Sequence, residues 1–194
     1  MKVAGIVLAA GRSARMGRPK SLLEIGDRTF LERAIGILER GGCTDVIAVL
    51  ARGEAEGRAG ELARAHGAKP VESPGGEQID SLRMGLAAVP AGAAAAVVLP
   101  VDHPLADALT VAVLIGEYEA TGAPIVRPVY HDRPGHPILL ARVLWPELAD
   151  PTLEQGARDV IHHHAEEIHD VPIDDRGVTV DVDTPADYQR EIGS

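Results

Sequence analysis

The chain has a single cysteine, Cys43, which excludes an intrachain disulfide framework and a cysteine-rich zinc site. That usage fits a reducing compartment. Aromatic residues make up only 3% of the chain, so the core has to be built from Ala, Val, Leu and Ile. Positive charge is also scarce. Nineteen Lys and Arg face 29 Asp and Glu, for a formal net charge of -10. An overall basic surface for nucleic acid is not expected from this balance, which leaves room for a local cationic pocket. No apolar run approaches the roughly 20 residues that cross a bilayer, and the longest is Ala93 to Val101. The apolar stretch Val3 to Ala10 after Lys2 is short, and Gly11 and Arg12 follow it at once, which argues against an export signal. The expectation is a cytoplasmic protein with neither a membrane nor a nucleic acid as partner.

The rest of the composition is that of a globular chain: 194 residues, 45% hydrophobic and 25% charged, enough for one domain with a buried core. Short apolar runs alternate with helix-like stretches. Lys2 to Ala9, Asp45 to Leu50, Lys69 to Glu72 and Ala94 to Val101 read as strands, the first and last apolar enough to be buried on both faces. Thr29 to Arg40 reads as a helix that opens on a Thr29/Glu32 capping box and stops at Gly41 and Gly42. Glu54 to His66, Gln78 to Val89, Asp107 to Thr121 and Thr152 to His164 read as further helices. Pro124 to Val129 and His136 to Leu140 read as strands around the turn-rich His131 to Gly135. Gly177 to Asp183 alternates as a last strand, and Thr184 with Pro185 starts the C-terminal helix. This alternation predicts an α/β fold, a mostly parallel sheet with helices on both faces.

The stretch from Leu8 to Lys20 is the most informative. A buried parallel strand delivers Leu8, Ala9, Ala10 and Gly11 to the carboxyl edge of the sheet, where open α/β folds bind ligands. Small residues allow close approach, and exposed N–H groups can hold phosphate oxygens. Four cations, Arg12, Arg15, Arg18 and Lys20, follow within nine residues of an otherwise acidic chain. Together these features point to a polyphosphate clamp, against the alternative of a solvated basic loop. The spacing fits neither G-x-G-x-x-G nor G-x-x-x-x-G-K-[ST], which disfavours a dinucleotide dehydrogenase and a P-loop ATPase.

Leu8-Ala9-Ala10-Gly11-Arg12-Ser13-Ala14-Arg15-Met16-Gly17-Arg18-Pro19-Lys20 resembles the signature of nucleotidyltransferases related to molybdenum-cofactor cytidylyltransferase and guanylyltransferase. The resemblance continues in Ser73 to Leu86, in Leu99 to Pro104, in Gly135-His136-Pro137 and in Asp181 to Asp187. It implies one Rossmann-like, MobA-like NTP transferase domain over residues 1–194, of the nucleotide-diphospho-sugar transferase type. It further implies that a nucleoside monophosphate passes from a nucleoside triphosphate to a phosphate-bearing acceptor, with magnesium and with release of pyrophosphate. Ala9-Ala10-Gly11, rather than Ala-Gly-Gly, leans towards CTP as donor, with molybdopterin as the acceptor. A molybdoenzyme or its maturation chaperone is then a possible protein partner.

Asp102 ends an apolar strand, where an acid is costly unless exposed, hydrogen-bonded or bound to a cation. Magnesium takes few carboxylates and completes its shell with water and phosphate. Asp181 and Asp183 fall on one face of the expected last strand and offer a second ligand, while Asp187 fits a capping box. The Ser73 to Arg83 segment joins a strand to a helix through Gly75 and Gly76, and related enzymes read base and ribose there with a serine at the position of Ser81. His162, His163 and His164 are adjacent on a helix and point about 100° apart, so they do not converge on one ion. His103 and His136 are the expected contacts to the acceptor. The expected catalytic groups are Arg15, Lys20 and Asp102; Leu8, Ala9, Ala10, Gly11, Arg12, Gly75 and Ser81 are expected to hold the nucleotide. Two rival readings are transfer to a sugar or polyol phosphate, and a nucleotide-binding chaperone or regulator without turnover.

Overall fold

The computed structural model describes residues 1–11, 13 and 15–193. In chain order the strands and helices are β1 (Val3–Ala9), β2 (Glu24–Ile25), β3 (Arg28–Thr29), α1 (Phe30–Arg40), β4 (Val46–Leu50), α2 (Arg58–Ala65), β5 (Lys69–Glu72), α3 (Gln78–Ala88), β6 (Ala95–Pro100) and α4 (Ala108–Thr121). They continue with β7 (Ile125–Tyr130), β8 (Arg133–Pro134), β9 (Ile138–Ala141), α5 (Trp145–Leu148), α6 (Ala157–His163), β10 (Ile168–Pro172) and α7 (Pro185–Glu191). The main sheet runs β10-β7-β9-β6-β1-β4-β5, with β8 paired to β7. β9 is antiparallel to both β6 and β7, and the neighbouring pairs β6/β1, β1/β4, β4/β5 and β7/β10 are parallel. The mostly parallel α/β sheet expected from the alternation is present.

Every residue of β1, β4 and β6 is buried. Their continuous apolar runs are therefore explained by helices on both sheet faces. One face packs α1, α2 and α4 onto Val3, Val7, Ala48 and Val97; the other packs α3, α5 and α6 onto Ala4, Ile6, Val49 and Val98. The approach is closest at two glycines. A Cβ at Gly5 would lie 3.0 Å from Leu38 Cδ1, and one at Gly85 would lie 2.7 Å from Ile6 Cγ2. Helix α1 opens as expected: Glu32 N–H donates to Thr29 Oγ1 at 3.2 Å, and Thr29 N–H donates to Glu32 Oε2 at 2.7 Å.

Several elements differ from the sequence expectation. Residues 177–183 form no strand. Arg176–Thr179 is a 3₁₀ turn, and Val178 within it and Val182 beyond it bond to two different neighbours. His136 N–H donates to Val178 O, and Val182 N–H donates to Asp102 O, each at 2.8 Å. Val178, Val180 and Val182 are nonetheless buried, so the alternation reported burial rather than pairing. The edge strand is instead β10, whose Ile168, His169 and Asp170 are polar or only half-buried. The expected helix 54–66 shortens to α2 because Gly53 has φ +80° and Gly57 is extended. The expected helix 152–164 shortens to α6, which follows Gly156 at φ +62°. Among the described residues, no helix is long and apolar enough to cross a membrane.

Candidate active site

The chain leaves β1 towards β4 and β5 on one side, and returns to lay β6 on the other. The carboxyl ends of β1 and β6 therefore flank a switch point, where connecting segments diverge and leave a crevice. Leu8 pairs with Pro100 in register, and Val101 N–H donates to Leu8 O at 3.0 Å, so the two strand ends emerge side by side. A cleft of about 760 Å³ opens there. Its walls include Leu8, Ala9, Ala10, Gly11, Arg15, Lys20, Gly75, Ser81, Asp102, His103, His136, Asp181 and Asp183. The fold thus gathers these residues from five separate stretches of sequence. Arg12, expected at the nucleotide, lies outside the described residues.

The first loop is held by Ser13. Its hydroxyl accepts from Lys20 N–H at 3.0 Å and donates to Gly11 O at 3.4 Å, and its carbonyl accepts from Met16 N–H at 2.9 Å. The loop doubles back, and Lys20 starts a short 3₁₀ turn with its side chain aimed into the cleft. The Lys20 ammonium donates to Asp102 Oδ2 at 3.0 Å and also to Asp183 Oδ1. Arg15 donates to Asp183 Oδ2 at 2.8 Å. Burial disfavours the Lys20 charge, but the hydrogen bonds and charges of Asp183 and Asp102 outweigh it and hold the ammonium above its ordinary range. The Lys20 hydrogen bond in turn holds the Asp183 carboxyl low, against a partial burial cost.

Asp102 and Asp183 are held together through the backbone. The Val182-to-Asp102 bond ties the two segments, and the Thr184/Asp187 capping box fixes the turn that carries Asp183: Asp187 N–H donates to Thr184 Oγ1 at 3.2 Å, and Thr184 N–H to Asp187 Oδ2 at 2.9 Å. Asp187 is thus a capping group. Asp181 lines the cleft, but Lys20 and Arg15 meet Asp183 rather than Asp181. The donor set around the ammonium is two carboxylates. Among the described residues no group of three or more His, Cys, Asp or Glu converges as a metal cluster. Two carboxylates already attracting a cation suit a hard divalent ion that takes its remaining ligands from phosphate and water.

Gly75 and Gly76, which also line the cleft, have φ of +87° and +107° and lead into α3. The buried Ser73 and Ser81 hydroxyls lie 3.0 Å apart, so Ser81 is oriented by Ser73. The His103 and His136 rings, both on the cleft wall, sit 4.8 Å apart, tilted by 58°. Burial pushes both imidazoles down, His136 to about 4 with His103 adding to the effect. Both are therefore neutral near pH 7, and the Nδ1 atoms of both are buried without a hydrogen-bond partner among the described residues. His164 bonds Glu147 and Glu167 instead of joining a histidine cluster.

Ser13, Glu77, Gln78, Pro100, Val101 and Arg158 also line the cleft and were not among the expected site residues. Ser13 stands in the first-loop signature and could have been found there. Arg158 carries no such signal; it is an isolated arginine on α6, brought to the cleft because Gly156 lets the helix start against Ile79.

The profile of the MobA-like NTP transferase domain matches residues 5–168. A molybdenum cofactor guanylyltransferase of Xanthomonas euvesicatoria pv. vesicatoria (strain 85-10) is 40% identical over 107 residues, 54% of this chain and 49% of that protein. The chain thus matches about half the length of that relative. The crystal structure of Rv0371c from Mycobacterium tuberculosis H37Rv superposes with a TM-score of 0.83 at 31% identity, covering 100% of this chain and 98% of that one. A structure of the same Rv0371c in complex with manganese superposes with a TM-score of 0.78 at 30% identity, over 100% of both chains. On the domain match and on this similarity over the whole length, the chain belongs to the family of the MobA-like NTP transferase domain.

Proposed function

We propose that the chain, as one domain over residues 1–194, transfers a nucleoside monophosphate from a nucleoside triphosphate to a phosphate-bearing acceptor of the molybdopterin type, in the cytoplasm. The observation that carries this reading is the Arg15, Lys20, Asp102 and Asp183 cluster beside a glycine-containing strand end, at the switch point of a mostly parallel sheet. An oxygen of the acceptor phosphate attacks the α-phosphorus, the bond to the β-phosphate breaks, and pyrophosphate leaves. The acceptor phosphate is already anionic, so no dedicated base is required. The Ala10 to Lys20 loop lays out the phosphates, and Lys20 and Arg15 offset charge on the α-phosphate and on the leaving pyrophosphate. Catalysis rests on positioning and electrostatics, as in phosphoryl transfer.

Asp102 would hold a divalent ion, magnesium in the cell, together with Asp183 or Asp181; Asp183 is favoured because it shares Lys20 with Asp102. When bound there, the ion would supply positive charge to the phosphate oxygens. The manganese complex of the similar Rv0371c supports a divalent cation. Gly75 and Ser81 face the nucleoside, and His103 and His136 offer neutral hydrogen-bonding groups to the acceptor.

Two bases remain in play. The Ala9-Ala10-Gly11 strand end favours CTP, whereas the guanylyltransferase name of the Xanthomonas relative favours GTP. Pyrophosphate release should be measured with each of the four ribonucleoside triphosphates, against molybdopterin-type and sugar- or polyol-phosphate acceptors. CTP with the molybdopterin-type acceptor should give the highest kcat/KM. A clear GTP preference would reassign the base, and release only with a sugar or polyol phosphate would reassign the acceptor. No release with any pair would leave a nucleotide-binding protein without turnover.

A further inference from the structure

The Lys20 ammonium stands where the two carboxylates would otherwise meet a metal ion. It is only 13% exposed, and its two carboxylate partners, Asp102 and Asp183, come from opposite parts of the chain. Lys20 and Arg15 together balance the charge of Asp102 and Asp183. A divalent ion entering alone would have to break the Lys20 bonds and would leave the cluster of Lys20, Arg15, Asp102 and Asp183 with two positive charges in surplus. A nucleoside triphosphate reverses that balance, because its phosphates offer Lys20 and Arg15 new partners while the ion takes the carboxylates.

We infer that Lys20 is an internal counter-ion that holds the divalent-metal position between Asp102 and Asp183, and that it exchanges places with the ion when a nucleotide arrives. This rests on the metal-assisted transfer reading above and adds an order to it: the metal enters with the nucleotide rather than before it. Lys20 thereby has two successive sets of anionic partners, the two carboxylates first and the triphosphate second. The exchange keeps the carboxylates compensated in the free protein, where two adjacent negative groups at 27% and 25% exposure would otherwise repel. Asp181 also lines the cleft and adds to the negative field that draws a cation in.

The test reads metal binding directly. Mn²⁺ affinity without nucleotide is measured by electron paramagnetic resonance for the wild-type protein, Lys20→Met and the double variant Lys20→Met/Asp102→Asn. Methionine keeps the apolar length of the lysine stem but offers no charge. Lys20→Met should bind nucleotide-free Mn²⁺ about ten- to a hundredfold more tightly than wild type, the scale of losing charged hydrogen bonds that compete with the ion. The double variant should lose that gain. Equal or weaker Mn²⁺ binding by folded Lys20→Met would overturn the exchange.

A second measurement uses the unaltered protein. It has three lysines, Lys2, Lys20 and Lys69, of which Lys2 and Lys69 are exposed. Acetylation by an amine-reactive reagent, read by mass spectrometry, should be slow at Lys20 and should stay slow when Mg²⁺ is added without nucleotide, with Lys2 and Lys69 reacting fast throughout. A clear acceleration at Lys20 by Mg²⁺ alone would overturn the order of entry. The outcome is separable from that of the transfer reading. A protein that releases no pyrophosphate with any substrate pair, yet gains Mn²⁺ affinity in Lys20→Met, would lose the proposed activity and keep the exchange.

Discussion

Acid should destabilise this protein through His136 well before its carboxylates are protonated. Burial, reinforced by His103, pushes the His136 imidazole from 6.5 down to about 4. Its Nδ1 is buried without a hydrogen-bond partner among the described residues, so a proton there gains no hydrogen bond, and the Asp102 charge only partly offsets the burial. The unfolded chain takes up that proton as pH falls through about 6.5, whereas the folded chain resists until about 4. In that window the unfolded state binds more protons, so stability falls as pH is lowered and is fully present above about 6.5. The loss is about 2 kcal/mol at pH 5 and about 3 kcal/mol at pH 4. Urea unfolding in the presence of chelator, at steps from pH 7 to pH 5, should show wild type losing about 2 kcal/mol more than His136→Gln over that range. The variant can be less stable throughout; the difference in slope is what matters. Parallel pH dependence in the two proteins would refute the buried neutral imidazole.

Other substitutions test other parts of the molecule. Asp102→Asn should stay folded, need much more magnesium and lose most activity even at saturation, since metal charge stabilisation is worth several kcal/mol; an unchanged magnesium titration of activity would move the assignment to Asp181 and Asp183. Lys20→Ala should lower kcat by roughly two to three orders of magnitude, the scale of one preorganised electrostatic contact, and near-wild-type turnover would remove Lys20 from the catalytic set. Gly85→Ala would place a Cβ 2.7 Å from Ile6 Cγ2 and 3.1 Å from Val49 Cγ2. That crowding should outweigh the helix-propensity gain and cost about 1–3 kcal/mol, read as a lowered urea midpoint; an unchanged or raised midpoint would show that α3 can shift away from β1 without cost.

Much of the architecture was legible because burial and secondary structure coincide in its centre. β1, β4 and β6 are apolar at every position, since helices cover both faces, and α1 announces its start through Thr29 and Glu32. Legibility failed where the two come apart. Val178, Val180 and Val182 alternate and are buried, yet Val178 bonds His136, Val182 bonds Asp102 and Val180 N–H donates back to Gly177 O, and side-chain periodicity carries no record of hydrogen-bond partners. β10 pairs in full with β7 but lies at the sheet edge, where polar residues such as His169 and Asp170 are tolerated. The cleft residues were legible where they sit in a dense local pattern, as in Leu8 to Lys20. Arg158 was not, because only the folded position of α6 brings it near, and Asp181 and Asp183 read alike in the sequence although Lys20 reaches Asp183.

The central claim is that the bond broken lies between the α- and β-phosphates and that the nucleoside monophosphate moves to the acceptor. The most direct measurement follows the label from α-³³P CTP, and in parallel α-³³P GTP, incubated with Mg²⁺, the protein and a molybdopterin-type acceptor. The account predicts that the α-label appears on the acceptor in equal amount with unlabelled pyrophosphate. Label that remains in a free nucleoside diphosphate, with inorganic phosphate or a γ-phosphorylated acceptor as the other product, would contradict it.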